Sequence, residues 1–117
     1  MSRQTDGYWY SRGGMAAFKR ANRDAGLHWF DADTMRFFRS RVGDLLPGDY
    51  FISSEKRWDE GRAYTLRRAM PDGNVESCSG FQQYPTRAAA LRAYRALYRA
   101  ECIDAAHRRE RGAAYGT

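Results

Sequence analysis

The fold is decided by residues 63–84, which read AYTLRRAMPDGNVESCSGFQQY. Apolar and polar side chains alternate over Ala63–Ala69, a pattern that predicts a half-buried strand. Residues 70–74 then combine a proline that presets a turn with a glycine suited to the left-handed conformation. A further strand is predicted over Val75–Tyr84. The stretch therefore predicts an antiparallel hairpin.

Two helices are predicted before the hairpin. Apolar residues recur at helical spacing over Met15–Ala25, and Gly26 stands where a helix commonly ends. The second helix begins at Asp31 or Asp33, since either side chain can cap the first turn, and it continues through Val42.

One more strand and one long helix complete the predicted architecture. The strand covers Tyr50–Glu55 and precedes the hairpin. The helix follows Pro85, is capped by Thr86 and persists to His107, because its sequence is rich in alanine and arginine. The sequence thus predicts an α+β fold in the order α-α-β-β-β-α. It has a three-stranded antiparallel meander, one face of which is covered by the helices.

The length of 117 residues fits a single domain over residues 1–117. We expect a loosely held N-terminal arm over 1–14 and a flexible tail over 110–117. The aromatic run 8–10 in the arm either docks onto the core as a short strand or forms an exposed contact. The predicted core comprises Phe18, Met35, Phe38, Val42, Phe51, Tyr64, Leu66, Phe81, Leu91, Tyr94 and Leu97.

The formal net charge of +6 is carried by the helical regions. Residues 1–48 contain eight basic and five acidic residues, residues 85–117 seven and three, and the sheet region five and six. Arg92, Arg95 and Arg99 align on one face of the last helix. This ridge is either a solvated surface or a phosphate-binding surface whose affinity would fall with salt.

The sequence offers no motif for catalysis, metal binding or a cofactor. We interpret Cys78 and Cys102 as small buried apolar residues, although an enzyme using one of them with a histidine is a further alternative. No apolar run is long enough to span a bilayer, and the first residues are polar. These features predict a cytosolic protein that uses neither a membrane nor a small-molecule substrate.

From Asp33 onward, the order helix, three strands, helix resembles the double-stranded RNA-binding domain. That resemblance implies RNA contacts by Arg36 and Arg39, by the connection 56–61, and by Arg87 and Arg92. The basic motif of that domain is replaced here by one arginine and three alanines after Thr86.

A second resemblance rests on longer strings of residues. Residues 29–41 (WFDADTMRFFRSR), 50–55 (YFISSE), 62–67 (RAYTLR) and 81–86 (FQQYPT) resemble a family of short proteins of bacterial phages and plasmids. The similarity covers about residues 18 to 98 and implies an origin in a mobile element. Short non-enzymatic proteins of such elements often bind host machinery, including CRISPR effectors.

We therefore expect a phage or mobile-element accessory protein that acts by stoichiometric binding. The expected partner is a host protein or nucleoprotein complex, and the expected effect is inhibition of a defence complex such as a CRISPR effector. The alternative is a basic protein that binds duplex RNA or DNA through arginine-rich helices. The predicted contact residues are Arg36, Arg39, Lys56, Arg57, Trp58, Arg87, Arg92, Arg95 and Arg99.

Overall fold

The computed structural model of the protein describes residues 8–41, 43–59 and 61–115, with side chains up to residue 110. Within these residues the chain is α+β, which confirms the predicted class. The elements in chain order are α1 (Tyr8–Ser11), α2 (Gly14–Asp24), α3 (Ala32–Met35), β1 (Phe38–Arg39), a 3₁₀ helix (Pro47–Asp49), β2 (Tyr50–Lys56), β3 (Arg62–Ala69), β4 (Val75–Ser77) and α4 (Arg87–Tyr115).

The strands form one antiparallel sheet in the order β1-β2-β3-β4. β2 and β3 pair from Tyr50 opposite Arg68 to Lys56 opposite Arg62. The predicted turn between β3 and β4 is confirmed, since the N–H of Met70 donates to the carbonyl of Asn74 at 2.9 Å. β2, β3 and β4 therefore form the antiparallel meander that the sequence predicts.

Helices cover both faces of the sheet, and consecutive side chains of β2 are therefore buried. Neighbouring side chains of a strand point to opposite faces, and residues 50–53 are all buried. On one face, Phe51 packs with Trp9, Met15, Phe18, Leu45 and Ala69. On the other face, Tyr50 and Ile52 pack with Leu66, Ala90 and Tyr94 of α4. The prediction that helices cover only one face of the sheet is therefore wrong.

α4 begins where the sequence predicts, and the Thr86 hydroxyl accepts a hydrogen bond from the N–H of Ala89 at 3.1 Å. Further along, Glu101 accepts hydrogen bonds from the Tyr50 hydroxyl at 2.5 Å and from Arg68 at 2.8 Å. Burial, with the hydrogen bond to Glu101 as a second cause, raises the pKa of Tyr50 above its ordinary value. The helix passes the predicted end and continues to Tyr115.

The predicted second helix is shorter than expected. The sequence predicts a helix that runs through Val42, which lies outside the described residues, but α3 already ends at Met35. The N–H of Phe37 donates to the carbonyl of Thr34 at 3.0 Å, three residues back, and this bond tightens the final turn.

β1 is a fourth strand that the sequence prediction lacks. The carbonyl of Phe37 accepts a hydrogen bond from the N–H of Lys56 at 3.1 Å, which draws the chain onto β2. Phe38 and Arg39 then lie opposite Glu55 and Ser54. The predicted count of three strands is corrected to four.

The predicted third strand, Val75–Tyr84, ends early. β4 stops at Ser77, because the N–H of Leu66 donates to the hydroxyl of Ser79 at 3.1 Å rather than to a backbone carbonyl. The ladder resumes only as a single bridge between Tyr64 and Tyr84. The hydroxyl of Ser79 therefore takes the place of a backbone carbonyl as the acceptor, and the residues between Ser77 and Tyr84 form a loop.

The predicted core is confirmed in its central members. The prediction of Phe81 as a core residue is wrong, because the early end of β4 leaves its side chain 56% exposed. Val42 lies outside the described residues. The buried members are Phe18, Phe51, Leu66 and Tyr94, and the half-buried members are Met35, Phe38, Tyr64, Leu91 and Leu97.

The N-terminal aromatic run forms α1 instead of a short strand. The predicted arm, 1–14, falls within the described residues only from Tyr8 onward. Trp9 is buried there, and its backbone N–H donates to a carboxylate oxygen of Asp49 at 2.7 Å. Burial raises the pKa of Asp49, although backbone hydrogen bonds, that of Trp9 first, act in the opposite direction. The indole N–H of Trp9 donates to the carbonyl of Met70 at 3.0 Å.

The two cysteines lie in different environments. Cys78 is half-buried, and burial raises the pKa of its thiol to about 11. Cys102 is exposed on α4, so the interpretation of both residues as buried is wrong for Cys102.

Two glycines with positive φ offer a matched test of how the hairpin docks on α2. Gly73 has φ +89°, and a Cβ there would lie 2.8 Å from the carbonyl oxygen of Ala21. Gly26 has φ +74° and open space around it. We expect Gly26→Ala to lower the free energy of unfolding by about 1–2 kcal/mol, the cost of a left-handed alanine. Gly73→Ala should cost about 1–3 kcal/mol more, because α2 must also shift. Urea denaturation measures both losses, and equal losses would contradict the close docking.

Candidate functional site

A cleft lies on the sheet face that α4 covers, just beyond the start of the helix. Ser54, Arg62 and Tyr64 share this face with Ile52 and Leu66 by strand alternation. Because α4 begins only at Arg87, it leaves these outer rows of side chains open. The result is a cleft of about 300 Å³ lined by Arg39, Arg41, Asp44, Ile52, Ser54, Arg62, Tyr64 and Arg87, here called the arginine cleft.

The arginine cleft holds four guanidinium groups and a single carboxylate, that of Asp44. Asp44 lies 3.7 Å from Arg87 and also accepts the backbone N–H of Arg41 at 3.1 Å. Burial, and next the nearby charge of Arg39, lowers the pKa of Arg62. Like charges are thus crowded in this cleft, and an anion bound there would relieve their repulsion.

Arg62 is fixed in place by hydrogen bonds to the sheet. Its guanidinium donates to the hydroxyl of Ser54, to the carbonyl of Ser54 at 2.6 Å and to the carbonyl of Phe37 at 3.2 Å. The last bond connects the cleft to the end of the sheet, where Phe37 lies.

Three exposed aromatic residues lie at that end and are called the aromatic tip: Phe37, Trp58 and Phe81. Their exposed fractions are 42%, 99% and 56%. They line an open recess of about 320 Å³ together with Lys56, Arg57 and Gln82. Apolar rings rimmed by two cations are typical of a contact surface rather than of a solvated face.

A buried polar network lies beneath the tip, on the opposite face from the arginine cleft. Glu55 is fully buried and lies 3.4 Å from Arg67, which is also buried. The hydroxyl of Thr65 donates to Glu55 at 2.7 Å. Burial lowers the pKa of Arg67, while the charge of Glu55 opposes this shift.

Aromatic rings close this network from outside. The Arg67 guanidinium lies 4.7 Å from the ring centroid of Trp29 and 5.4 Å from that of Phe38. Thr65 also accepts a hydrogen bond from the N–H of Gln82 at 2.9 Å. The network therefore holds the loop that carries Phe81.

Residues 14–95 match the model of a family of unknown function, DUF7447. The match covers well over half of the chain. The protein belongs to this family. No curated protein and no solved structure matches the chain. The arginine cleft and the aromatic tip lie wholly within the residues that match DUF7447, whereas α1 and the distal part of α4 lie outside.

The structure distributes the predicted contact residues over four places: the end of α3, the arginine cleft, the aromatic tip and α4. Arg36 is exposed and pairs with Asp33 at 2.8 Å. Arg57 pairs with Asp59 at 3.1 Å. The cleft receives Arg39 and Arg87, the recess at the tip receives Lys56, Arg57 and Trp58, and the exposed side of α4 carries Arg92, Arg95 and Arg99, which line neither.

Among the arginines of the cleft and the rings of the tip, four residues are missing from the predicted contact residues: Arg41, Arg62, Phe37 and Phe81. Strand alternation places Arg62 on the same face as Tyr64, so a signal for it exists. Phe37 falls off the apolar stripe of the predicted helix, which is a signal of exposure. The position of Phe81 depends on the residue at which β4 ends, and no local sequence pattern predicts that residue.

Two properties concern only the part of the chain that the structure describes. None of its helices combines the length and apolar character needed to cross a membrane. No group of three or more histidine, cysteine, aspartate or glutamate side chains there could hold a metal ion.

The buried pair Glu55 and Arg67 predicts a large loss of stability when one partner is removed. Glu55→Ala leaves a buried guanidinium without its counter-charge, so we expect the free energy of unfolding to fall by about 3–5 kcal/mol. The exposed pair of Arg57 and Asp59 is the control, and Asp59→Ala should cost about 0–1 kcal/mol. Urea denaturation followed by circular dichroism measures both. Similar losses for the two variants would contradict the structural role of the buried pair.

Proposed function

We propose that the protein is a nucleic-acid-binding protein that acts by stoichiometric binding through the arginine cleft and the aromatic tip. The observation that carries this proposal is the charge of the cleft, in which four arginines meet one carboxylate. Arginine presents a planar fork of donors that fits the oxygens of a phosphate group. The cleft therefore suits a chain of phosphates better than it suits a neutral or cationic ligand.

The state of the individual arginines supports this proposal. Among the described residues, Arg39 and Arg41 form no ion pair, and both are exposed. Arg87 has only the distant contact with Asp44 at 3.7 Å. Their donors are available to a ligand, whereas Arg62 is committed to the sheet and positions the floor of the cleft.

A comparison of two triple variants tests the proposal. One variant replaces Arg39, Arg41 and Arg87 of the cleft by glutamine, and the other replaces Arg92, Arg95 and Arg99 of the α4 ridge by glutamine. Each lowers the formal net charge from +6 to +3. A difference in affinity between the two variants therefore reflects the position of the arginines and not the total charge. We expect the cleft variant to lose about 100-fold or more in affinity, and the ridge variant to retain most of its affinity.

The measurement is a fluorescence anisotropy titration with labelled RNA and DNA at several salt concentrations. Each lost phosphate contact should reduce the slope of log affinity against log salt by about 0.7 to 0.9. Loss of binding in the ridge variant alone would place the interface on α4. Absence of binding by the unmodified protein at low salt would refute the proposal.

A second candidate is the function that the phage and plasmid resemblance implies. In it, a mobile element encodes the protein, which acts in the bacterial cytoplasm and inhibits a host defence complex such as a CRISPR effector. The exposed tip favours this candidate, because Trp58 is 99% exposed and exposed tryptophans are typical anchors of protein interfaces. A guide RNA or target strand held by such a complex would also match the charge of the cleft.

Expression in a host with an active CRISPR system tests this candidate. Targeted phage should then form plaques, and the purified effector should bind the protein in a fixed ratio. Trp58→Ala should weaken both effects, while Tyr10→Ala, at an exposed aromatic residue on α1, should leave them unchanged. If no defence assay responds to expression, this candidate is wrong.

A further inference from the structure

The backbone beside two rings of the aromatic tip, Phe37 and Phe81, is held in place by hydrogen bonds. The carbonyl of Phe37 accepts from the N–H of Lys56 at 3.1 Å. Next to Phe81, Gln82 donates from its side chain to the carbonyl of Lys56 at 3.1 Å. The backbone that carries these two rings therefore loses little freedom when a ligand packs on them.

Two of the rings are nearly parallel. The planes of Phe37 and Phe81 differ by 16° and their centroids lie 6.4 Å apart. Phe38 meets both at steep angles from the inner side. Planar groups stacked on Phe37 and on Phe81 would thus lie in almost the same orientation.

The aromatic tip adjoins the arginine cleft. Arg62 belongs to the cleft and donates to the carbonyl of Phe37 at 3.2 Å. Lys56 and Arg57 line the recess beside the rings. A ligand that extends from the cleft to the tip would meet cations in the cleft, further cations beside the recess, and aromatic rings at one end.

We propose that the nucleic acid is single-stranded, with phosphates in the arginine cleft and bases stacked on the aromatic tip. This inference rests on the proposed function and adds the strandedness of the ligand. In a duplex the base faces are already stacked on one another, so only the phosphates would find partners on this surface. A single strand offers both phosphates and free base faces, and it satisfies the cations and the rings together.

A protein partner fits the surface less well. A protein that docks on the rings would also have to supply several carboxylates at the cleft in a fixed arrangement. A nucleic-acid strand provides one negative charge and one planar group in every nucleotide, so the same repeating unit serves both parts of the surface.

The test uses the full chain with labelled single strands of about 12 nucleotides, a common site size, as RNA and as DNA, and a duplex of the same length. We expect at least one single strand to bind more tightly than the duplex. Trp58→Ala should weaken binding of the single strand by about 5- to 150-fold and leave duplex binding unchanged. Because Trp58 is 99% exposed, this variant should fold normally, and circular dichroism checks this.

Two further variants separate stacking from general apolar contact. Trp58→Phe keeps a ring and should retain most of the affinity, whereas Trp58→Leu should lose it. Tyr10→Ala removes an exposed ring on α1 and should have no effect. Quenching of the long-wavelength tryptophan emission by the single strand should disappear in Trp58→Ala, because Trp9 is buried and Trp29 half-buried.

The outcomes distinguish this inference from the proposed function. Equal binding of duplex and single strand, with no effect of Trp58→Ala, would overturn the inference while cleft-dependent binding would still support the proposed function. A loss in Tyr10→Ala but not in Trp58→Ala would also overturn it. Absence of any binding at low salt would refute both.

Discussion

The ion pair between Glu55 and Arg67 is the constraint on which the functional end of the sheet depends. Removing two charges from water costs several kcal/mol per ion unless their hydrogen-bonding capacity is satisfied. The surroundings meet this need with the hydroxyls of Ser53, Thr65 and Ser77 and with two rings over the guanidinium. Ser53, Thr65, Ser77 and Phe38 come from β2, β3, β4 and β1, and Trp29 precedes α3, so the pair fixes how the strands meet at this end.

The same constraint shapes the surface outside. Phe38 must turn inward to cover Arg67, and the chain then leaves its neighbour Phe37 at the surface. Thr65 uses its hydroxyl both for Glu55 and for the N–H of Gln82, and this second bond places Phe81 beside Phe37. On the other face, the late start of α4 opens the arginine cleft. The buried ion pair thus places the rings, and the start of α4 opens the cleft that holds the cations, at the same end of the sheet.

Local pattern explains which parts of this protein can be predicted from its sequence. The hairpin turn, α2 and the start of α4 depend on glycine, proline, caps and periodicity, all of which lie within a few residues of the element they define. β1 has only two residues, too few to show an alternation of apolar and polar side chains. It forms because the carbonyl of Phe37 accepts a hydrogen bond from the N–H of Lys56 on β2. The site follows the same division: exposed Trp58 and the charge of Arg39 and Arg87 are evident in the sequence, whereas the exposure of Phe81 depends on Ser79 ending β4.

The sheet has very short outer strands, two residues in β1 and three in β4. A long unpaired edge offers its backbone groups to the strands of other chains and so promotes aggregation or recognition by strand addition. Both outer strands are too short to offer a long edge, and each carries an exposed charged side chain, Arg39 on one and Glu76 on the other. Strand addition is therefore disfavoured at these edges, and recognition through side chains is favoured instead.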